Sequence, residues 1–265
     1  MSTARNPTAP SNPATLLSAV IITFNEADRI DKCVRRLAFC DEVLVIDSHS
    51  TDDTRDIAIA AGARVIERDW PGYRSQKEFA IRSAEHDWVL CLDADEYVTP
   101  ELRDELLQLR ASGFPQHAGW DMPFLLCYFG KFLRHGLTYP DRHLRLIDRR
   151  RGRWAGKEIH EHLEVEGSVG HLRGDIEHFA YRSLSHQLAK LERYAELMAR
   201  ELHSRGKKAG LIKIVLRPYW RFFSGYVLRL GFLDGWRGLV LSLVEANYVR
   251  QKYLKLYLLR SGFPL

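Results

Sequence analysis

Between Ser18 and Asp93 the chain switches repeatedly between short apolar runs and stretches of helical spacing, and that alternation restricts the fold more than any other feature. "SAVIITF" reads as a buried strand, and "EADRIDKCVRRLAFC" then sets Ile30, Val34 and Leu37 at helical intervals. "EVLVIDS" is a second strand. "STDDTRDIAIAAG" follows with Ser50 and Asp53 at capping-box spacing and Gly62 as a helix stop. "ARVIER" is a short strand, "YRSQKEFAIRSAE" another helix, and "WVLCLDAD" a strand whose Val89, Leu90, Cys91 and Leu92 are wholly apolar. Strands and helices in this order predict an α/β fold with a mainly parallel sheet covered by helices, Rossmann-like in plan.

The last of these strands runs into Asp93, Ala94, Asp95 and Glu96. Carboxylates therefore gather at a strand's C-terminal end, the edge of an open α/β sheet where ligands bind. Asp93 and Asp95 are two residues apart and share a side if the strand persists, so both could hold one hard cation, magnesium or manganese. Two chemistries use such a pair. A phosphatase with an aspartyl nucleophile continues D-x-D-x-[TV], whereas Tyr97 stands in the fifth place here. A metal-dependent transferase uses the pair and its ion to neutralise the diphosphate of a nucleotide-sugar. The plain structural alternative is an acidic cluster favouring the positive end of a helix opening at Thr99.

"TPELRDELLQLRASG" predicts that helix, with Pro100 in its first turn and Gly113 after its end. Strands and hairpins are expected up to about residue 183, and helices from Leu184 onward. The division read from the sequence is a disordered leader over 1–17, rich in Pro, Ser, Thr and Asn, an α/β domain over 18–183 and a helical region over 184–265. The leader has no apolar core of signal-peptide length. Cys33, Cys40, Cys91 and Cys127 show no C-x-x-C spacing, which favours buried thiols in a reducing cytosol.

Charge is unevenly spread. From Arg205 on, twelve cations face two anions, a net of +10, which leaves −5 for the residues before it in a chain of net +5. Aromatic residues from Tyr219 to Phe263 interleave with those cations. No charge-free apolar run there approaches the roughly 20 residues of a spanning helix.

"AVIITFNEADRI", "VLVIDSHSTDDT" and "WVLCLDADE", in this order and spacing, resemble a family-2 glycosyltransferase of the GT-A fold, over about Ser18 to Arg110. With a later "IHEHL", the resemblance is greatest to the lipopolysaccharide and lipooligosaccharide core β-1,4-glucosyltransferases. It implies an inverting hexosyltransferase that moves glucose from UDP-glucose to a heptose of a lipid-anchored inner-core saccharide. Thr23, Asn25 and Glu26 would line the nucleoside pocket, Asp47 would meet the uracil, Lys77 would lie near the donor phosphates, and Asp93, Ala94 and Asp95 would complete the nucleotide-sugar site. Asp93, Asp95 and His178 would hold the divalent ion. Ser50 is expected to cap a helix rather than touch ligand, and a solvated helix-face position is the alternative for Lys77.

An inverting transfer needs one carboxylate to take the acceptor's proton. The candidates lie in "GKEIHEHLEVEG", with Glu161 first and Glu158 in reserve. Arg142 and Arg145 are expected at an exposed strand edge or on a phosphate. A lipid-anchored acceptor gives the basic, aromatic tail a task, docking a cytoplasmic enzyme peripherally on the anionic inner leaflet. Two other readings compete. A nucleotidyltransferase would carry a glycine-rich basic loop after its first strand, which "TFNEADRI" lacks, and a nucleic-acid-binding protein would show a recognised motif, which is missing. No nucleic-acid partner is expected.

Overall fold

A computed structural model of the chain describes residues 15–156 and 161–265; most of the expected leader, and Glu158, lie outside them. In chain order the elements are β1 (Leu17–Thr23), α1 (Ile30–Arg36), β2 (Glu42–Asp47), α2 (Thr54–Ala60), β3 (Arg64–Glu67), α3 (Tyr73–Ser83), β4 (Trp88–Asp93), β5 (Glu96–Val98), α4 (Pro100–Ala111) and β6 (Gly119–Tyr128). They continue with β7 (Lys131–Phe132), β8 (Asp141–Asp148), β9 (Gly152–Ala155), β10 (His162–Val165), β11 (Val169–His171), β12 (Ile176–His178), α5 (Leu184–Ser204), α6 (Leu211–Phe223) and α7 (Trp236–Arg260). The chain forms two compact units, one comprising residues up to Pro123 with Arg142–Ile176, the other Phe124–Asp141 with Glu177–Leu265.

In the first unit the sheet order is β3-β2-β1-β4-β8-β6. β3, β2, β1 and β4 are mutually parallel, and β8 is antiparallel to β4. Every residue of β1 is buried, as expected of a central parallel strand with both faces covered. Val20, Ile22, Leu44, Ile46, Val89 and Cys91 point to one face and pack with Ala80 and Ile81 of α3. The register sets Thr23 beside Asp47 and Ile22 beside Asp93, so the chemistry-bearing ends of three strands share one edge.

Two helix boundaries bear on the local sequence readings. α4 is capped by Thr99, whose hydroxyl accepts from Leu102 N at 3.3 Å, with Pro100 in its first turn as expected. α2 begins at Thr54 with Asp53 at the cap position and no side-chain cap bond, so Ser50 is not a helix cap.

The second unit is largely helical. Tyr128 Oη donates to Gln187 of α5 at 2.7 Å, and Lys255 of α7 reaches Glu192 of α5 at 2.8 Å. The turn between α6 and α7 is closed by three glycines. A Cβ on Gly231 would sit 2.7 Å from Gly225 O, and one on Gly238 would collide with Gly231 O. No described helix is long and apolar enough to cross a membrane.

Candidate active site

β4 stops at Asp93; Ala94 and Asp95 form a turn, so the strand alternation that would aim both aspartates alike does not persist. The two acquire different cationic neighbours. Asp93 meets Lys77 Nζ at 3.1 Å, while Asp95 lies 3.9 Å from Arg29 Nη1. Asp93 and Asp95 keep 32% and 21% of their side-chain surface exposed, whereas Glu96 is 1% exposed as a residue.

Glu96 holds the turn together. It accepts from Asp93 N at 3.0 Å and from Arg145 Nη2 at 2.8 Å. Burial pushes its carboxyl up to about 8, Arg145 opposing and Asp93 and Asp95 adding to the rise. Arg145 is itself buried; burial works against its charge, and Glu96 and Asp93 outweigh that and raise its pKa. The exposed edge expected for Arg145 is therefore wrong, because a buried glutamate draws it inward. Arg142 lies nearer the surface and donates to Asp121 and to Leu172 O at 2.7 Å.

Lys77 is also misplaced by the solvated-helix alternative. α3 buries Gln76, Lys77, Ala80 and Ile81, one stripe at helical spacing, and Lys77 is 7% exposed. Its ammonium joins Asp93 to Glu161 Oε1, 3.3 Å away, and sits 4.9 Å from the Trp154 ring. Burial disfavours the charge, but Asp93, with Glu96 and Glu161, overcomes both burial and Arg145 and raises the lysine pKa. A narrow pocket opens between Lys77, Asp93, Arg145 and Trp154.

At the neighbouring strand ends, Asp47 is fully buried and both its carboxylate oxygens accept from Ser50, from N at 2.8 Å and from Oγ. Ser50 Oγ in turn accepts from Asn25 N at 2.9 Å, and Asn25 Oδ1 accepts from Thr51 N at 2.8 Å. Glu26 N donates to Thr54 Oγ1 at 2.8 Å. Asn25 has φ +54°, a conformation Asn tolerates better than most residues. Thr23 Oγ1 and Trp154 Nε1 are buried without a hydrogen-bond partner among the described residues.

The structure thus joins Lys77, Asp93 and Glu161 directly, sets Ala94 and Asp95 beside them in the turn, and binds Asn25 and Asp47 through Ser50. His178 belongs to the second unit, where its ring meets Phe124 edge-to-face at 5.7 Å. Arg29 and Trp154 are singled out by no motif, and the sequence names Glu96 and Arg145 without pairing them. The signal available for Lys77 was its place in the stripe with Ala80 and Ile81; Trp154 carries none, since it reaches the edge only through folding.

A profile for glycosyl transferase family 2 matches residues 18–113. The lipopolysaccharide core biosynthesis glycosyltransferase LpsC of Rhizobium meliloti (strain 1021) is 33% identical over 264 residues, covering 92% of this chain and 93% of its own length. An uncharacterized glycosyltransferase of Rickettsia felis is 30% identical over 258 residues, covering 92% and 91%. Among solved structures, glucosyl-3-phosphoglycerate synthase from Mycobacterium tuberculosis, in complex with Mn2+, UDP and glucosyl-3-phosphoglycerate, superposes with a TM-score of 0.49 at 16% identity over 79% of this chain and 90% of that one.

Proposed function

The chain belongs to glycosyl transferase family 2, and from that premise we propose that it moves glucose from UDP-glucose, with inversion, onto an inner-core heptose of a lipid-linked saccharide. Its fold is the α/β GT-A arrangement and its activity is glycosyl transfer. The observation that carries the finer reading is the Asp93–Lys77–Glu161 chain at the C-terminal edge of the sheet. It puts an accessible acid, a fixed cation and a second acid within one short stretch of space.

The donor set fits a divalent cation. Asp93 and Asp95 offer hard, partly exposed carboxylate oxygens at an open edge, and Glu96, bonded to Arg145 through one oxygen and to Asp93 N through the other, holds the turn that carries them. Bound there, magnesium or manganese would act as a Lewis acid on the departing diphosphate. Lys77 would stay charged and hold Asp93 and Glu161 in place. Thr23 Oγ1 and Trp154 Nε1, buried without partners among the described residues, offer polar atoms to a nucleotide-sugar, and Asp47 would meet the base once Ser50 yields a carboxylate oxygen. Glu161 takes the proton from the acceptor hydroxyl as that oxygen attacks the anomeric carbon opposite the diphosphate. His178 is offered as a further ligand on the family resemblance.

The acceptor reading is supported by the LpsC relationship and by the cationic tail, which suits a peripheral enzyme on an anionic membrane face. The test is incubation with UDP-glucose and a heptose-terminated lipid acceptor, reading released UDP. Release requires manganese or magnesium, and Glu161→Gln should still bind UDP-glucose while transfer falls at least about 100-fold. Full transfer by that variant removes Glu161 as the base; transfer from another nucleotide-sugar alone overturns the donor.

A further inference from the structure

α6 is built the wrong way round for a helix in a water-soluble bundle. Its sequence "LIKIVLRPYWRFF" places Leu211, Ile212, Val215, Leu216, Tyr219, Trp220 and Phe223 on one broad face, and that is the face left in solvent. Ile212 is 73% exposed, Tyr219 71% and Trp220 62%. The buried side is narrow and centred on Pro218. An amphipathic helix ordinarily turns its apolar stripe to the core. Beyond α6 the exposed apolar surface continues through Val227, Leu228, Leu230, Phe232, Leu233 and Trp236. Surface of this extent marks a binding face.

The charges flanking it say what it binds. Lys208, Lys213, Arg217 and Arg229 are all exposed. Arg221 is neutralised by Glu245 at 2.7 Å, but Lys213 and Arg217 spend their donors on uncharged oxygens, Lys208 O and Tyr253 Oη. Stacking this face on a second copy would bring like charges together in an apolar contact. An anionic lipid surface instead supplies phosphates to the cations, a headgroup layer for Tyr219 and Trp220, and hydrocarbon for Ile212, Val215 and Leu216. At thirteen residues, α6 is too short to span a bilayer, so its placement is in the plane.

We infer that α6 and the turn after it, to Trp236, form an in-plane anchor that submerges the Leu211–Phe223 apolar face in an anionic phospholipid bilayer. This rests on the reading of a lipid-linked acceptor and assigns the contact to one helix rather than to the cationic tail as a whole. Lys213 and Arg217 lie at the phosphate level on one flank, while α7 carries the helix from behind.

The test uses the full chain and sedimentation with vesicles of phosphatidylcholine alone or with added phosphatidylglycerol, without donor, acceptor or metal. Binding to the anionic vesicles is expected, with little to the zwitterionic ones. Ile212→Glu with Trp220→Glu should weaken it by on the order of 100-fold. Lys213→Ser with Arg217→Ser should weaken it by about 25-fold, roughly fivefold for each cation. Brominated acyl chains should quench Trp220 fluorescence in the parent protein. Equal vesicle binding by Ile212→Glu/Trp220→Glu, with native circular dichroism, overturns the assignment. So does a dimer in sedimentation equilibrium that the same variant abolishes, which would make a second copy the occupant. UDP binding with manganese, followed by calorimetry on that variant, should match the parent. Loss of UDP binding in both proteins defeats the transferase reading and leaves the anchor standing, and a parent protein that binds UDP but not the anionic vesicles does the reverse.

Discussion

Lys77 is the residue on which the edge of the sheet turns. A buried ammonium between Asp93 and Glu161 does part of what a divalent ion would do, neutralising one carboxylate while fixing the other. Lys77→Met should destabilise the protein by about 2–3 kcal/mol, below the range for a fully buried pair because Asp93 is a third exposed. Manganese should then stabilise the variant more than the parent in scanning calorimetry, since Asp93 has lost its internal cation. Equal stabilisation would show that the ion does not engage Asp93. Asp95→Ala should lower metal-stimulated turnover about 100-fold or more with little change in melting temperature, because its side chain lies in a turn and keeps 21% of its surface exposed.

At the scale of elements, β1, β2 and β3 are tied at their starts by a buried carboxylate. Glu42, at the start of β2, accepts from Ser18 Oγ, from Glu85 N at 2.7 Å and from Arg64 Nε at 3.1 Å. Burial pushes its pKa up, but Ser18, Glu85 N and Arg64 together hold it below the ordinary value. A depressed carboxylate contributes stability above its unfolded pKa, about 4.3, and loses it as pH falls through the lower folded value. Glu42→Gln should cost about 1–2 kcal/mol at pH 7, Arg64 counting for little at 40% exposure, and the gap to the parent should close in urea melts below about pH 4. A pH-independent gap would mean that shape, not charge, matters there. The α/β order was legible because Val, Ile and Leu fill both faces of a parallel strand and leave no alternation to misread. Asp93 was legible too, since it ends such a run. The partners of Asp93, Asp95 and Glu96 were not: Lys77 wears the composition of a surface helix, and Arg145 approaches Glu96 across 49 residues of chain. Ser50 misled for a related reason, as a hydroxyl at capping spacing satisfies Asp47 and Asn25 N instead.

Across the whole molecule, charge and apolar surface are sorted along the chain. The residues before Arg205 net −5 and hold the acidic edge, while those from Arg205 on net +10 and hold the exposed face of α6. Ligand linkage offers a measurement on the intact chain. At a hundredfold excess over Kd, UDP with manganese should stabilise it by about 2.7 kcal/mol. For a chain of this size that raises the melting temperature by roughly 5–10 °C, and UDP without the ion should give much less. An identical shift in the presence of chelator would separate nucleotide binding from the metal. The turn from α6 into α7 carries its own lesson, for Gly225, Gly231 and Gly238 stand so close that main chain lies directly on main chain. Even a methyl group at Gly231 or Gly238 would wedge the hairpin apart, so the greasy helix is carried on a pivot that works only where two positions have no side chain at all.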